Sequence, residues 1–173
     1  MSPLPRLFAA IAGLSCLLFS APVAAAPVAA TTNATGTASI LKSLSILKKA
    51  DLDFGEVVVT GAGTVVIDPV SGAITTTGLV TPIGTGSHPA TFTATGSKNS
   101  VVLIRIPSSA VTLTQVGGSG TLTVSNWTLD GKTNRKFPLN SSFNFNVGGT
   151  LNVAAGQADG TYVGTFSVTV QYP

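Results

Sequence analysis

The chain contains few side chains that could carry out acid–base, nucleophilic or metal chemistry. His88 is the sole histidine, and it lies in a turn between Ser87 and Pro89, with no carboxylate or thiol beside it in the sequence. A zinc site needs several imidazole, thiolate or carboxylate ligands, and a histidine-activated nucleophile needs a positioned partner. We therefore interpret His88 as a surface loop residue and predict neither a zinc site nor a catalytic triad.

The acidic residues are also too sparse to form a recognisable site. Asp51, Asp53 and Glu56 fall within one short segment and could contact calcium together. The glycine-bearing loop and the later bidentate acid of an EF-hand are absent, however, so we interpret the three as solvent-facing charges at strand ends. A pair of glycosidase carboxylates would need a substrate cleft. The sequence thus predicts no metal, no cofactor, no catalytic residue and no enzymatic activity.

The basic residues do not indicate a nucleic-acid partner. The formal net charge is +3, but the lysines and arginines are scattered along the chain instead of forming a patch. Residues 131–133 (Gly-Lys-Thr) resemble the end of a phosphate-binding loop, yet Asn126 stands where the first glycine of that motif would be. We predict no binding of nucleic acid and no phosphate-binding loop.

The N-terminus has the pattern of a secretory signal peptide. Arg6 is the only charge before an apolar run over 7–19, and small residues follow that run. The run is too short to span a bilayer, and no later segment predicts a membrane span in the mature form. Cleavage fits best after Ala25. We therefore expect a signal peptide over 1–25, an N-terminal extension over 26–39 and a domain over 40–173, exported through the inner membrane to the periplasm, the cell surface or the medium.

The remainder has the composition and pattern of an all-β protein. Charged residues are only 9% of the chain and hydrophobic residues 44%, so few charges are present to stop exposed strand edges from pairing with other chains. Segment 39–49 fits either a helix or a strand, and we favour a strand because everything downstream is β. Alternating stretches separated by turn residues at sandwich-like spacing predict strands over 63–67, 90–95, 101–106, 111–115, 121–127, 143–147, 151–154 and 161–172.

The last predicted strand has the clearest alternation. Tyr162, Phe166, Val168, Val170 and Tyr172 fall on one face, and polar residues separate the last four of them. If this is the penultimate strand of an immunoglobulin-type sandwich, the closing strand does not follow within this sequence. We therefore expect an open acceptor groove lined by Phe166, Val168 and Val170.

Four stretches resemble the bacterial DUF4402 family, and together they cover nearly the whole predicted mature chain. They are Asp-Leu-Asp-Phe-Gly over 51–55, Ala-Thr-Phe-Thr-Ala-Thr-Gly over 90–96, Val-Gly-Gly-Thr-Leu over 147–151, and the C-terminal pattern Gly-x-Tyr-x-Gly-x-Phe-x-Val-Thr-Val-x-Tyr over 160–172. The C-terminal pattern is similar to that of spore-coat-U-like and chaperone-usher pilin subunits. The resemblance implies an incomplete, pilin-like immunoglobulin β-sandwich that assembles into adhesive surface fibres, although the disulfide of many pilins is lacking.

A groove of this kind can be filled by a strand from a neighbouring subunit. Ala34, Gly36, Ala38 and Ile40 alternate with polar residues and form the candidate donor strand, while the other interpretation of this extension is a disordered tail.

Two functions stay open. One is a non-catalytic fibre subunit that associates with itself or with other fibre subunits, with a periplasmic chaperone as a further candidate partner. The other is a monomeric periplasmic or secreted module that binds carbohydrate or a protein.

Overall fold

The computed structural model describes residues 30–173, and the predicted signal peptide and residues 26–29 lie outside that range. Every regular element in the described part is a β-strand. Residues 30–38 are exposed and have no regular secondary structure, and a compact unit comprises Ser39–Pro173. Within 30–173, no helix has the length and hydropathy needed to cross a membrane. The predicted all-β class is confirmed.

Eleven strands make up the compact unit. In chain order they are β1 (Ser45–Ala50), β2 (Glu56–Ile67), β3 (Ile74–Ile83), β4 (Ala90–Thr95), β5 (Val101–Arg105), β6 (Val111–Gln115), β7 (Thr121–Leu129), β8 (Asn134–Lys136), β9 (Ser142–Val153), β10 (Tyr162–Val163) and β11 (Thr169–Gln171).

The strands form two antiparallel sheets, and β9 is the centre of the larger one. On one edge, the first half of β9 pairs with β4 and its second half with β2, while β7 pairs with the opposite edge. Strand β1 continues this sheet beyond β4, β3 continues it beyond β2, and β6 and β10 follow β7. The smaller sheet has the order β11-β5-β8. The two sheets form the expected β-sandwich.

The core consists of two clusters of buried side chains, with Leu52 and Trp127 packed against both. The first cluster fills the curl of the larger sheet. The second lies between the β4–β9 half of the larger sheet and the smaller sheet. Its buried members are Ala90, Phe92, Ala94, Val102, Ile104, Phe137, Phe145 and Val147. This second cluster is the floor of the site described below.

Strand β9 differs from the sequence prediction, which placed two strands at 143–147 and 151–154. Gly148 and Gly149 do not end the strand but lie buried inside it. A Cβ atom at Gly148 would collide with the main-chain carbonyl oxygen of Ile67. The glycine therefore permits close approach of the β2 backbone. A glycine within a strand can mark such a close approach and need not end the strand.

Strand β3 was not predicted, because its threonine-rich sequence shows little apolar alternation. It forms through its pairing with β2 in a hairpin whose turn begins at Asp68. The Asp68 carboxylate accepts hydrogen bonds from the backbone N–H groups of Val70 (2.8 Å) and Ser71 (2.7 Å). The Ser71 N–H, then the Ser71 hydroxyl and the Val70 N–H, hold the pKa of Asp68 below its usual value.

Candidate functional site

The C-terminal segment, residues 162–172, carries the three predicted acceptor residues. The sequence predicted one continuous strand here, but only its ends form ladders: β10 pairs with β6 and β11 pairs with β5. The intervening residues 164–168 belong to no strand. The segment changes sheets at this interruption, because β6 belongs to the larger sheet and β5 to the smaller one.

The predicted inward face of this segment is correct. Phe166, Val168 and Val170 are half-buried and pack against the second core cluster. The Phe166 ring lies 4.6 Å from the Trp127 ring and 6.5 Å from the Phe92 ring, measured between centroids. The three side chains therefore contact the same buried cluster, but of the three only Phe166 lines the cleft described next.

Two free strand edges border this surface. Strand β1 pairs with β4 and has no ladder on its other edge, and β11 pairs with β5 alone among the described strands. A cleft of about 140 Å³ lies between the end of β1 and residues 164–166, which precede β11 and belong to no strand. Its walls are Lys48 and Asp51 on one side and residues 164–166 on the other, and its floor is Ala90 and Phe92. We call this the acceptor cleft.

The core face of β1 is partly exposed at Ile46. Ile46 lies opposite Ala94 in the ladder, and Lys48 lies opposite Phe92. Residues directly opposite each other in a sheet point to the same face, and both β4 partners are buried. Ile46 nevertheless stays 38% exposed. An apolar side chain on the core side of an edge strand is thus only partly covered.

The acceptor cleft is narrower at the end near Tyr172. Some Cα atoms of β1 and β11 come within 8 Å of each other. The Tyr172 hydroxyl accepts a hydrogen bond from the Ser97 N–H (3.0 Å) and donates one to the Lys42 carbonyl (2.8 Å). Tyr172 therefore ties the C-terminal segment to the residues that precede β1. The cleft is open at residues 164–166 and held closed at Tyr172.

The candidate donor residues belong to an exposed stretch of chain. Ala34, Gly36 and Ala38 are exposed and in no strand. Ile40 is 96% exposed, more than any other large apolar side chain of the described part. An isoleucine left in water forfeits roughly 1.5–3 kcal/mol of burial free energy. The described part of the chain thus contains both an exposed apolar side chain, Ile40, and a cleft with an apolar floor at Ala90 and Phe92.

A second cleft, of about 370 Å³, opens over the first core cluster. It is bordered by residues 57–59 of β2 and by Tyr162, and Leu122 and Val153 line it as well. The Tyr162 hydroxyl accepts a hydrogen bond from the Gln157 amide and donates one to the Ala158 carbonyl, both at 2.7 Å. The Tyr162 hydroxyl is therefore already hydrogen-bonded within the protein.

His88 has an exposed side chain, and its backbone pairs with that of Asp53 through two hydrogen bonds of 2.9 and 3.0 Å. Across residues 30–173, no three histidine, cysteine or acidic side chains are grouped closely enough to hold a metal ion. Because the pairing uses only main-chain atoms, we expect His88→Ala to change the free energy of unfolding by less than about 0.5 kcal/mol. Urea unfolding checks this, and a larger loss would assign the imidazole a structural or binding role.

Sequence reasoning missed one whole side of the acceptor cleft. It identified the C-terminal segment but assigned no role to Ile46, Lys48 or the hydroxyl of Tyr172. The spacing of Leu44, Ile46 and Lys48 is a period-2 signal for the face of β1. What faces that strand could not be found from the pattern, because the opposing segment lies more than a hundred residues away in the sequence.

Comparisons with known proteins identify the family. The family model described as "Domain of unknown function (DUF4402)" matches residues 44–172, which is most of the chain. No curated protein matches the chain, and no solved structure matches it. The match begins at Leu44, just before β1, and extends through Tyr172, so it includes both walls of the acceptor cleft. The chain belongs to the DUF4402 family.

Proposed function

We propose that this protein is an exported structural subunit of a bacterial surface fibre, with an adhesion-related role and no catalysis. Each subunit's acceptor cleft takes the donor segment, residues 30–40, of a neighbouring copy. The observation that carries the proposal is the cleft between β1, whose outer edge is free, and the unpaired residues 164–166, which lead into the free edge of β11. Strand addition normally takes place at free strand edges of this kind.

The lengths of the two segments support this function. Residues 164–172 span about 30 Å when extended, at roughly 3.3 Å per residue. The described residues 30–40 span about 36 Å on the same scale, so the donor segment is long enough to run beside the whole C-terminal segment. The donor residues are small except at Ile40, which suits a cleft with one pocket and one narrow end.

Strand insertion also has a cost at the narrow end. An added strand needs about 4.8 Å on each side, so β1 and β11 must move apart near Tyr172. The two hydrogen bonds of the Tyr172 hydroxyl break when they do. Main-chain hydrogen bonds along the two free edges, together with burial of Ile40 and Ile46, offset this cost. A subunit would then be a metastable monomer that gains stability on assembly.

Charge substitutions on alternate faces of the donor segment test the proposal. We expect the secreted full-length chain to form polymers that survive dilution. Ala38→Asp combined with Ile40→Asp should leave it monomeric, because carboxylates would be buried in the apolar cleft. Thr37→Asp combined with Ser39→Asp is the matched control, since it adds the same charge on the outward face and should still polymerise. Light scattering and electron microscopy give the measurement.

Two results would contradict the proposal. One is a natural chain that stays a monomer at all concentrations, with cooperative unfolding and no response to an added peptide of residues 31–41. The other is equal polymerisation of the two double variants. In the first case the monomeric carbohydrate- or protein-binding module becomes the better account, and the second cleft, beside Tyr162, is where its ligand should be sought.

A further inference from the structure

We infer that the outward face of the smaller sheet binds an acidic polysaccharide through four basic side chains, which are Lys98, Arg105, Lys132 and Lys136. We call this surface the basic face. None of the four residues lines the acceptor cleft, so the basic face is a separate site that a monomer and a fibre present alike. The inference therefore goes beyond the proposed function and does not depend on strand donation.

The strand registers place Arg105 and Lys136 on the same side of the smaller sheet. In β5, Val102 and Ile104 are buried in the second core cluster. The alternate residues Val101 and Arg105 therefore point away from the core. Lys136 lies opposite Val101 in the ladder between β5 and β8, so it points outward as well. Because four residues of strand span roughly 13 Å, the two exposed cations lie toward opposite ends of one face.

Two lysines in the adjoining turns extend the basic face at its ends. The Ile104 N–H donates a hydrogen bond to the Thr133 carbonyl (2.8 Å), which continues the register of β5 and β8 beyond their ladder. Lys132, which comes just before Thr133, is exposed and lies close to Arg105. Lys98 is an exposed residue of the turn that leads into β5, at the other end of the face. The fold thus gathers basic residues that are scattered along the sequence.

No acidic side chain of the described residues neutralises the basic face. The described part contains two ion pairs, which join Lys48 to Asp51 and Arg135 to Asp130. Neither pair involves the four cations of the basic face. Residues 96–107, 132–141 and 164–173, which form the smaller sheet and its adjoining segments, contain no aspartate or glutamate. The acids without an ion pair belong to the larger sheet and the segments that join its strands, at Asp53, Glu56, Asp68 and Asp159. An uncompensated positive face of this kind attracts an anionic partner.

The polar residues among the cations favour a sugar polymer as that partner. Thr169 lies opposite Arg105, while Leu103 has Gln171 on one side and Asn134 on the other. Hydroxyl and amide groups donate and accept hydrogen bonds, as sugar hydroxyls require, and the arginine guanidinium matches the geometry of a carboxylate. Strands β5, β8 and β11 contain no aromatic residue, whereas nucleic-acid bases and bilayer surfaces are commonly bound through aromatic side chains. A polysaccharide that carries carboxylates therefore fits the basic face best.

Charge reversal on the basic face tests the inference, with polygalacturonate as the probe. The secreted full-length chain should bind immobilised polygalacturonate at about 20 mM salt and at least about tenfold more weakly at about 150 mM, because salt screens exposed charges. Arg105→Glu and Lys136→Glu should each weaken binding at least about tenfold. The matched control is Lys49→Glu, which makes the same change of charge at an exposed residue of β1 and should stay within about threefold. Biolayer interferometry on size-matched fractions gives the affinities, and circular dichroism checks that each variant is folded.

The remaining outcomes overturn the inference. An equal loss with Lys49→Glu would show that only the net charge matters. Equal binding to neutral dextran, or no binding at low salt, would exclude an acidic polysaccharide as the ligand. Tighter binding to duplex DNA or to vesicles that contain phosphatidylglycerol would assign the basic face to another class of partner. Light scattering measures polymerisation separately, so strand donation stands or falls independently of these results.

Discussion

A chain that carries a second copy of residues 31–41 after Pro173 is expected to be a monomer that unfolds about 10 °C or more above the natural subunit. The copy is joined through a turn of about four residues, which suffices for a hairpin. A hairpin turns the copy back along the C-terminal segment and so brings it to the acceptor cleft. The added strand then occupies the cleft at high effective concentration, and a neighbour's tail cannot displace it.

The stabilisation comes from burial of apolar surface that the natural monomer leaves in water. Burial of Ile46 and the copied isoleucine, together with the main-chain hydrogen bonds that the copy forms in the cleft, offsets the entropy of ordering the strand. Thermal unfolding by circular dichroism and size-exclusion chromatography give the two measurements. The control carries aspartate in the copied segment at the positions corresponding to Ala38 and Ile40. Equal unfolding temperatures for the two chains would show that the added strand does not enter the cleft.

Replacing Phe145 by alanine is expected to cost about 3–5 kcal/mol of unfolding free energy, the usual loss for a large core aromatic. Phe145 is completely buried in β9 and stacks on Phe92 at 5.4 Å between ring centroids. It lies at the centre of the cluster that forms the floor of the acceptor cleft. The total free energy of unfolding of a domain of this size is about 5–15 kcal/mol. This variant should therefore be largely unfolded at moderate urea concentrations and should not assemble.

The matched control for Phe145 is Leu139→Ala, because Leu139 is 78% exposed and its removal leaves no cavity. We expect that variant to stay within about 0.5 kcal/mol of the natural chain. Both substitutions are best measured in the background of Ala38→Asp and Ile40→Asp, where polymerisation does not disturb the two-state analysis. If the two variants lost similar stability, the assignment of the second cluster as the core would be wrong.

Much of the local structure could be predicted from the sequence, because strand alternation is a short-range property. The predicted bounds of β4 and β6 agree with the structure, and the inward face of the C-terminal segment was identified through Phe166, Val168 and Val170. Each of these predictions depends on neighbouring residues alone, since a pleated strand sends successive side chains to opposite faces.

Where the prediction failed, a distant partner determined the outcome. Strand β3 forms only by pairing with β2, and β9 continues through Gly148 because the β2 backbone approaches it there. The C-terminal segment breaks into β10 and β11 because it pairs with two different strands. None of these effects leaves a periodic signal in the segment concerned.

The sequence by itself determined that this chain is an all-β protein with an amphipathic C-terminal segment and an alternating N-terminal tail. Only the tertiary structure decided that β1 lies opposite residues 164–166 across the acceptor cleft and that Ile46 stays partly exposed on the core face of β1. It also decided that the Tyr172 hydroxyl donates a hydrogen bond to the Lys42 carbonyl. The physical reason is that alternation specifies which side of a strand is buried. Which strands become neighbours depends on long-range packing of the whole core.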